Sequence, residues 1–169
     1  MVVSLVHLGR LDYATALALQ EQVCALRQQE RIGDVLLLVE HPPVLTLGRN
    51  AQPQHVVASR ELLARRGIPV FATNRGGDVT YHGPGLLVGY PILNLRRCTP
   101  PIGVVEYLRK LEEVLIHACA DYGVLSQRAV GRAGVWTMPG QSVLTRTPNC
   151  ARSLAAHWAK LISAAFAAL

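Results

Sequence analysis

Residues 75–91 read Arg75-Gly-Gly-Asp-Val-Thr-Tyr-His-Gly-Pro-Gly-Leu-Leu-Val-Gly-Tyr-Pro91, and they concentrate glycines and polar side chains between two apolar segments. The Gly76-Gly77 pair lets the main chain adopt positive φ and approach a bound molecule closely, and Gly83-Pro84-Gly85 predicts a second turn. Between the turns, residues 78–82 alternate polar and apolar positions, so a strand here would present Asp78, Thr80 and His82 on one face. We therefore predict a polar binding face flanked by two loops.

Length and composition predict a single domain with a hydrophobic core. With 169 residues, half of them hydrophobic, the chain is long enough for one domain with a core. The net charge of +6 is spread over scattered arginines. A mildly basic surface suits an acidic partner or an anionic ligand. The sequence contains no basic-aromatic module, so nucleic-acid binding is not predicted. No apolar run approaches the roughly twenty residues of a membrane span, and the opening residues lack a signal peptide's basic region. We expect a cytoplasmic protein that does not bind membranes.

The histidines and cysteines predict neither a metal site nor another cofactor. The cysteines lie far apart with no CxxC pair, so we expect reduced thiols at Cys24, Cys98, Cys119 and Cys150. His41, His55 and His82 lack the spacing of metal ligands.

Hydrophobic periodicity predicts an α+β domain in which helices cover a sheet. Asp12 and Ser59 are expected to cap helices, and Gly123 to end the longest one. Strands are predicted at residues 2–8, 35–39, 44–47, 68–72, 79–81 and 86–93, and helices after Asp12, between Ser59 and Gly67, and from Pro101 to Gly123.

The string RGGDVTYHGPGLLVGYPILNL resembles the central motif of the lipoyl(octanoyl) transferases. Segments 36–49 and 131–137, which read LLLVEHPPVLTLGR and GRAGVWT, are similar to that family in the same order. The resemblance implies a domain over residues 1–137 with the mixed sheet of the biotin and lipoate protein ligases, a class II synthetase-like fold, incomplete at its C-terminus. Residues 138–169 diverge, and helical spacing of apolar residues predicts a helix over 151–168.

The family transfers an octanoyl group from octanoyl-acyl carrier protein to a lysine of lipoyl-accepting domains, the first step of protein lipoylation. The resemblance therefore implies octanoyl-acyl carrier protein, the lipoyl domains of 2-oxoacid dehydrogenases and the glycine cleavage H protein as partners. It also implies that the motif binds substrate through Arg75, Gly76, Gly77, Asp78, Val79, Thr80, Tyr81 and His82.

The family's catalytic residues have no matching positions in this sequence. The family reaction uses a cysteine nucleophile and a lysine that favours its thiolate. After Thr137 the chain reads Met-Pro-Gly-Gln-Ser-Val-Leu-Thr-Arg-Thr-Pro-Asn-Cys-Ala-Arg, without the family's lysine segment or its Pro-Cys-Gly. Cys150 and Lys160 occur in reversed order, so we assign no catalytic residue and treat Cys150 only as a candidate substitute. A frame slip or premature ending of a transferase gene explains the change, and we expect this chain not to transfer octanoate.

The sequence is also consistent with two other functions. One is a lipoate or biotin ligase, although Tyr81-His-Gly-Pro-Gly85 fits the transferases better than the ligases' longer glycine run. The other is a non-catalytic remnant that binds acyl chains or acyl carriers. Individual residues also have structural interpretations. Binding an anion and capping a turn are equally favoured for Arg75. A functional role is favoured for His82, whereas a rigid turn with the two following prolines is favoured for His41.

Overall fold

The fold is α+β, as the sequence predicts, in a computed structural model that describes residues 2–98, 100–131 and 133–137. Strands outnumber helices over these ranges. The strands are β1 (Val3–Arg10), β2 (Asp34–Glu40), β3 (Val44–Leu47), β4 (Val70–Ala72), β5 (Val79–His82), β6 (Leu87–Ile92), β7 (Ser126–Arg128) and β8 (Val135–Thr137). The α-helices are α1 (Tyr13–Gln28), α2 (Arg60–Arg65) and α3 (Val104–Asp121), and single 3-10 turns occur at Pro53–His55 and Leu95–Arg97.

The strands form three small sheets, with the orders β1-β2-β6, β4-β3-β5 and β7-β8. Strand β3 is the centre of the second sheet, where it runs parallel to β4 and antiparallel to β5. The predicted mixed sheet is therefore confirmed. In this sheet Thr46 stands opposite Thr80 on one side and Phe71 on the other.

The described residues divide into two compact units. One comprises the described parts of Met1–Leu5, Arg27–Leu36 and Pro91–Leu169, and the other comprises Val6–Leu26 and Leu37–Tyr90. The second unit contains β3, β4, β5 and residues 75–90 of the motif. The predicted boundary of a single domain at residue 137 stays a prediction.

The helix boundaries follow the capping residues that the sequence indicated. The Asp12 carboxylate accepts a hydrogen bond from the Thr15 amide at 2.9 Å, and the Ser59 hydroxyl accepts one from the Leu62 amide at 3.2 Å. Each bond satisfies an amide that has no partner within its helix. Gly123 follows α3 with a φ of 71°, a conformation that glycine adopts without steric cost.

The buried strand β2 confirms the apolar run at residues 35–39. Its side chains from Val35 to Val39 are all buried, and Val39 is completely inaccessible to solvent. A strand buried on both faces needs a continuous apolar sequence rather than an alternating one.

In the first unit, Glu112 joins α3 to the β7-β8 hairpin. Its carboxylate, on a residue 4% exposed, accepts hydrogen bonds from Arg109 at 2.8 Å, Arg128 at 3.0 Å and the Gly134 amide at 2.9 Å. The Gly134 amide, followed by Arg109, holds the pKa of Glu112 below its ordinary value of 4.5. The Glu112 carboxylate therefore contacts the hairpin at two points, Arg128 and the Gly134 amide.

Parts of the sequence-based prediction lie outside the described residues, namely Cys150, Lys160 and the helix over 151–168. Within the described ranges, no helix is both long and apolar enough to cross a membrane.

We expect Glu112→Gln to lower the free energy of unfolding near neutral pH more than Glu113→Gln does, because Glu113 is half exposed and contacts Arg128 from the helix surface. The folded-state pKa of Glu112 is depressed, so its contribution is present above the unfolded pKa and is lost as pH falls through the folded value. Urea unfolding at about pH 7 and about pH 4 measures both effects. Equal losses in the two variants, or a difference that does not shrink in acid, would contradict this role.

Candidate active site

The guanidinium of Arg75 is directed into the protein and joins three parts of the second unit. Its Nη2 donates to the Thr46 carbonyl at 2.8 Å, the Asp78 carbonyl at 2.8 Å and the Thr80 hydroxyl at 2.9 Å. Its Nη2 and Nε also lie 2.9 and 3.3 Å from the Thr46 hydroxyl, and Nη1 lies 3.0 Å from the Gly76 carbonyl. Arg75 thus fixes the glycine loop against β3 and β5.

The first glycine loop is closed by main-chain hydrogen bonds to the segment that follows β3. The amides of Gly48, Arg49 and Asn50 donate at 3.0 Å to the carbonyls of Asp78, Arg75 and Gly77, respectively. The two segments approach so closely that a Cβ at Gly48 would lie 2.9 Å from the carbonyl carbon of Gly77.

The predicted positive φ is confirmed for one of the two glycines, Gly76 and Gly77. Gly77 has a φ of 82°, whereas Gly76 is not among the residues with positive φ. The single left-handed residue is enough to turn the chain beside Arg75.

The Thr46 hydroxyl pairs with Nε2 of His82. The Thr46 hydroxyl oxygen accepts from Arg75, so its own hydrogen is available to an acceptor, and His82 Nε2 lies at 3.2 Å. The Thr80 carbonyl, at 3.5 Å, is the longer alternative. With Nε2 accepting, neutral His82 carries its proton on Nδ1. That nitrogen is buried and has no hydrogen-bond partner in the described part of the chain.

His82 belongs to a cluster of rings with Tyr13, His41, Phe71 and Tyr90. Tyr13 lies with its ring centre 5.5 Å from His41, 5.1 Å from Phe71 and 6.3 Å from His82. His41 is completely buried. Its Nδ1 lies 2.8 Å from the Leu11 carbonyl and its Nε2 lies 2.9 Å from the Tyr90 hydroxyl. A carbonyl only accepts, so Nδ1 donates, and Nε2 of the neutral ring accepts the Tyr90 proton.

The surroundings favour the uncharged forms of His82, Tyr13 and Tyr90. Burial lowers the pKa of His82 below its ordinary value, and His41 and Arg75 lower it further. Burial also raises the pKa of Tyr13, and it raises that of Tyr90 to about 12. At neutral pH the cluster therefore presents a neutral imidazole and two phenols, which can orient a carbonyl group.

The remaining motif residues occupy different environments. Thr80 and His82 share the face of β5 that contacts Thr46, as the alternating pattern predicts, while Tyr81 is 53% exposed. The Asp78 Oδ2 contacts Nδ1 of His55, and its Oδ1 is buried without a hydrogen-bond partner among the described residues. Gly83 is buried against Tyr81, and a Cβ there would lie 2.8 Å from the Tyr81 ring.

Sequence reasoning missed Thr46, Tyr13 and Tyr90, and it assigned His41 only to a turn. Thr46 offered a local signal, because a threonine inside the apolar strand Val44–Leu47 must find a hydrogen-bond partner when it is buried. Tyr13 offered none, since it reaches the cluster from α1, which is distant in sequence, and Tyr90 lies in the motif without a local signal that it contacts His41.

We expect Thr46→Val to lower the free energy of unfolding by about 1–3 kcal/mol, because it leaves Arg75 and His82 without a buried hydroxyl partner. Thr46→Ser keeps the hydroxyl and should cost about 1 kcal/mol for the lost methyl group. Urea unfolding gives the stabilities, and ¹⁵N NMR of the imidazole nitrogens gives the His82 tautomer.

The serine variant should retain the proton on His82 Nδ1, and the valine variant should show a mixture of tautomers. An identical tautomer in all three proteins would show that Thr46 does not orient the ring.

Comparison with known proteins places this geometry in a family. Residues 12–146 match the model of the lipoyl protein ligase A/B catalytic domain. The octanoyltransferase of Acidobacterium capsulatum is 58% identical over 148 residues, which are 85% of this chain and 60% of that protein. The octanoyltransferase of Koribacter versatilis is 47% identical over 158 residues, 92% of this chain and 63% of that protein. The chain thus spans about three fifths of the length of these curated relatives.

Two solved structures share the fold at low sequence identity. One is a bi-partite archaeal lipoate protein ligase from Thermoplasma acidophilum, studied with its E2 lipoyl domain. Its TM-score is 0.64 at 14% identity, and the match covers 98% of this chain and 84% of the ligase chain. The other is lipoate-protein ligase A bound with ATP, with a TM-score of 0.60 at 16% identity. The match covers 79% of this chain and 52% of the ligase chain. The predicted fold is confirmed, and the chain belongs to the lipoyl protein ligase A/B catalytic domain family.

Proposed function

We propose that this chain carries the acyl-binding part of an octanoyltransferase, which moves an octanoyl group from octanoyl-acyl carrier protein to a lysine of a lipoyl-accepting domain. The observation that carries the proposal is the buried Nδ1 atom of His82, which has no partner in the described part of the chain and lies between the motif's two glycine turns. We assign the imidazole proton to this nitrogen, with Nε2 accepting from the Thr46 hydroxyl. The similarity to octanoyltransferases supports the acyl group as its ligand.

In this proposal residues 75–82 bind the substrate in different ways. His82 donates its Nδ1–H to the carbonyl oxygen of the acyl group, and Gly76 and Gly77 let the chain approach the ligand. Arg75 acts mainly as a positioning residue, because its guanidinium donates to oxygens of the protein itself. The neutral state of His82 suits this role, since a donor to a carbonyl needs no charge.

The proposed reaction has two acyl transfers. A cysteine thiolate attacks the carrier thioester and releases the carrier thiol, and the substrate lysine then attacks the enzyme thioester and releases the cysteine. The chain has two lysines, Lys110 on α3 and Lys160 outside the described residues. Neither lies soon after the Gly-Val-Trp segment, where the resemblance implies the family's lysine. The acyl-binding step is therefore the part of the reaction assigned to this chain, and no residue is assigned as its nucleophile.

The partners follow from the same chemistry. The net charge of +6 supports an acidic carrier protein as the acyl donor. The T. acidophilum ligase studied with its E2 lipoyl domain supports a lipoyl domain as the acceptor, and we extend the proposal to the glycine cleavage H protein. Cys98 and Cys119 are free thiols, which supports the cytoplasm as the compartment.

A lipoate ligase is the second candidate, because the family model includes ligases and a solved relative binds ATP. The ligase mechanism requires ATP to form an acyl-adenylate, whereas the transferase does not. Calorimetry with ATP separates the two, since micromolar ATP binding would favour the ligase.

We expect the 169-residue chain to bind octanoyl-acyl carrier protein, and His82→Phe to weaken that binding about threefold to tenfold, the effect of one lost hydrogen bond. Phenylalanine keeps a ring beside Tyr13 and His41. Tyr81→Phe is the matched control, because Tyr81 is the exposed neighbour on the opposite face of β5. Fluorescence anisotropy of labelled carrier measures all three proteins. Equal affinity in wild type and His82→Phe would reject the assigned role of His82.

We expect no octanoyl transfer when the same chain is incubated with octanoyl-acyl carrier protein and a lipoyl domain. The covalent mechanism needs a cysteine paired with a lysine, and this chain has neither residue at the positions that the resemblance implies. Intact-protein mass spectrometry detects acylation of either protein. Transfer that is abolished by Cys150→Ser and retained by Cys24→Ser would show that Cys150 is a nucleophile and that the prediction is wrong.

A further inference from the structure

The second unit contains a cavity of about 730 Å³ whose lining includes none of residues 75–82. Leu47 of β3 and Val70 of β4 form one wall, and Leu63 of α2 contributes to another. Successive side chains of a strand point to opposite faces of its sheet. Leu47 and Val70 therefore lie on the face opposite Thr46 and Phe71, so the cavity and the Arg75–Thr46–His82 network occupy opposite faces of one sheet.

The interior of this cavity is aliphatic. Its wall includes alanine, valine, leucine, isoleucine and proline side chains, with Leu63 almost fully buried at 6% exposure. The volume falls in the range that small-molecule ligands occupy in proteins, and an apolar lining with a few polar groups is typical of such sites.

The polar side of the cavity is positively charged. Arg60 is its one charged lining residue, and it has no salt-bridge partner within the ranges that the structure describes. The adjacent Glu61 is engaged with its own amide and the Ser59 hydroxyl, which hold the pKa of Glu61 below its ordinary value. The Ser59 hydroxyl also caps α2. The charge of Arg60 also lowers the pKa of Glu61, but Arg60 forms no salt bridge within the described ranges, so it is the cationic group at this cavity that can pair with an anion.

We propose that this cavity is a second ligand-binding site, which takes an amphipathic anion with a medium-length aliphatic chain. The chain fills the space between α2 and the sheet, and the carboxylate pairs with Arg60 at the rim. This site does not depend on the proposed acyl transfer, because it uses none of the residues assigned to that reaction.

The test is titration of the 169-residue chain with decanoate, followed by methyl NMR and calorimetry. Saturable binding should shift the methyl signals of Leu63 and Val70. Arg60→Gln should weaken it about threefold to fivefold, as expected for a partly exposed ion pair. Decylamine, with the same chain and the opposite charge, should bind more weakly than decanoate.

Two pairs of variants locate the site. Ala58→Leu projects extra volume into the cavity and should weaken decanoate binding about tenfold, whereas Val57→Leu should have no effect, because Val57 is 95% exposed and does not line the cavity. His82→Phe should leave this binding unchanged, and Arg60→Gln should leave the affinity for octanoyl-acyl carrier protein unchanged. Absence of binding, equal affinity for decylamine, or sensitivity to His82→Phe alone would overturn the proposal.

Discussion

The hydrogen bonds between Arg75 and Thr46 are the constraint on which the candidate site depends. One guanidinium bonds to both the main-chain carbonyl and the hydroxyl of Thr46, and it also holds the Asp78 carbonyl and the Thr80 hydroxyl. A planar guanidinium with five donors suits this task, and lysine does not have the geometry to replace it. Without these bonds the glycine loop would still have its main-chain hydrogen bonds to residues 48–50 and the contact between Asp78 and His55.

This constraint extends to the chemistry of His82. In the tautomer that we propose, the Thr46 hydroxyl, whose oxygen accepts from Arg75, donates to His82 Nε2, and the imidazole proton lies on Nδ1. Burial and the nearby Arg75 charge keep the ring neutral. An interaction that looks purely structural therefore places one hydrogen-bond donor, in one tautomer, beside the glycine turns. The same sheet separates this polar network from the aliphatic cavity beside Arg60.

Local sequence signals predicted the features that depend on neighbouring residues. The run at residues 35–39 predicts β2, the capping residues Asp12 and Ser59 predict the starts of α1 and α2, and the alternation over residues 78–82 predicts the polar face of β5. The cluster around His82 could not be predicted in this way. It combines Tyr13 of α1, Thr46 of β3 and Tyr90 of β6, which come from three different elements. The short strands β7 and β8 were also missed, since three residues carry too little periodicity.

The central claim is that Arg75 and Thr46 orient His82 so that its Nδ1–H binds an acyl carbonyl. It is tested most directly by the ¹⁵N signal of His82 Nδ1 as octanoyl-acyl carrier protein is added to the chain. The claim predicts a protonated Nδ1 in the free protein and a saturable shift of that signal on binding, with a smaller shift for the carrier without an acyl group. A free protein protonated on Nε2, or a bound state in which Nδ1 does not shift, would contradict it.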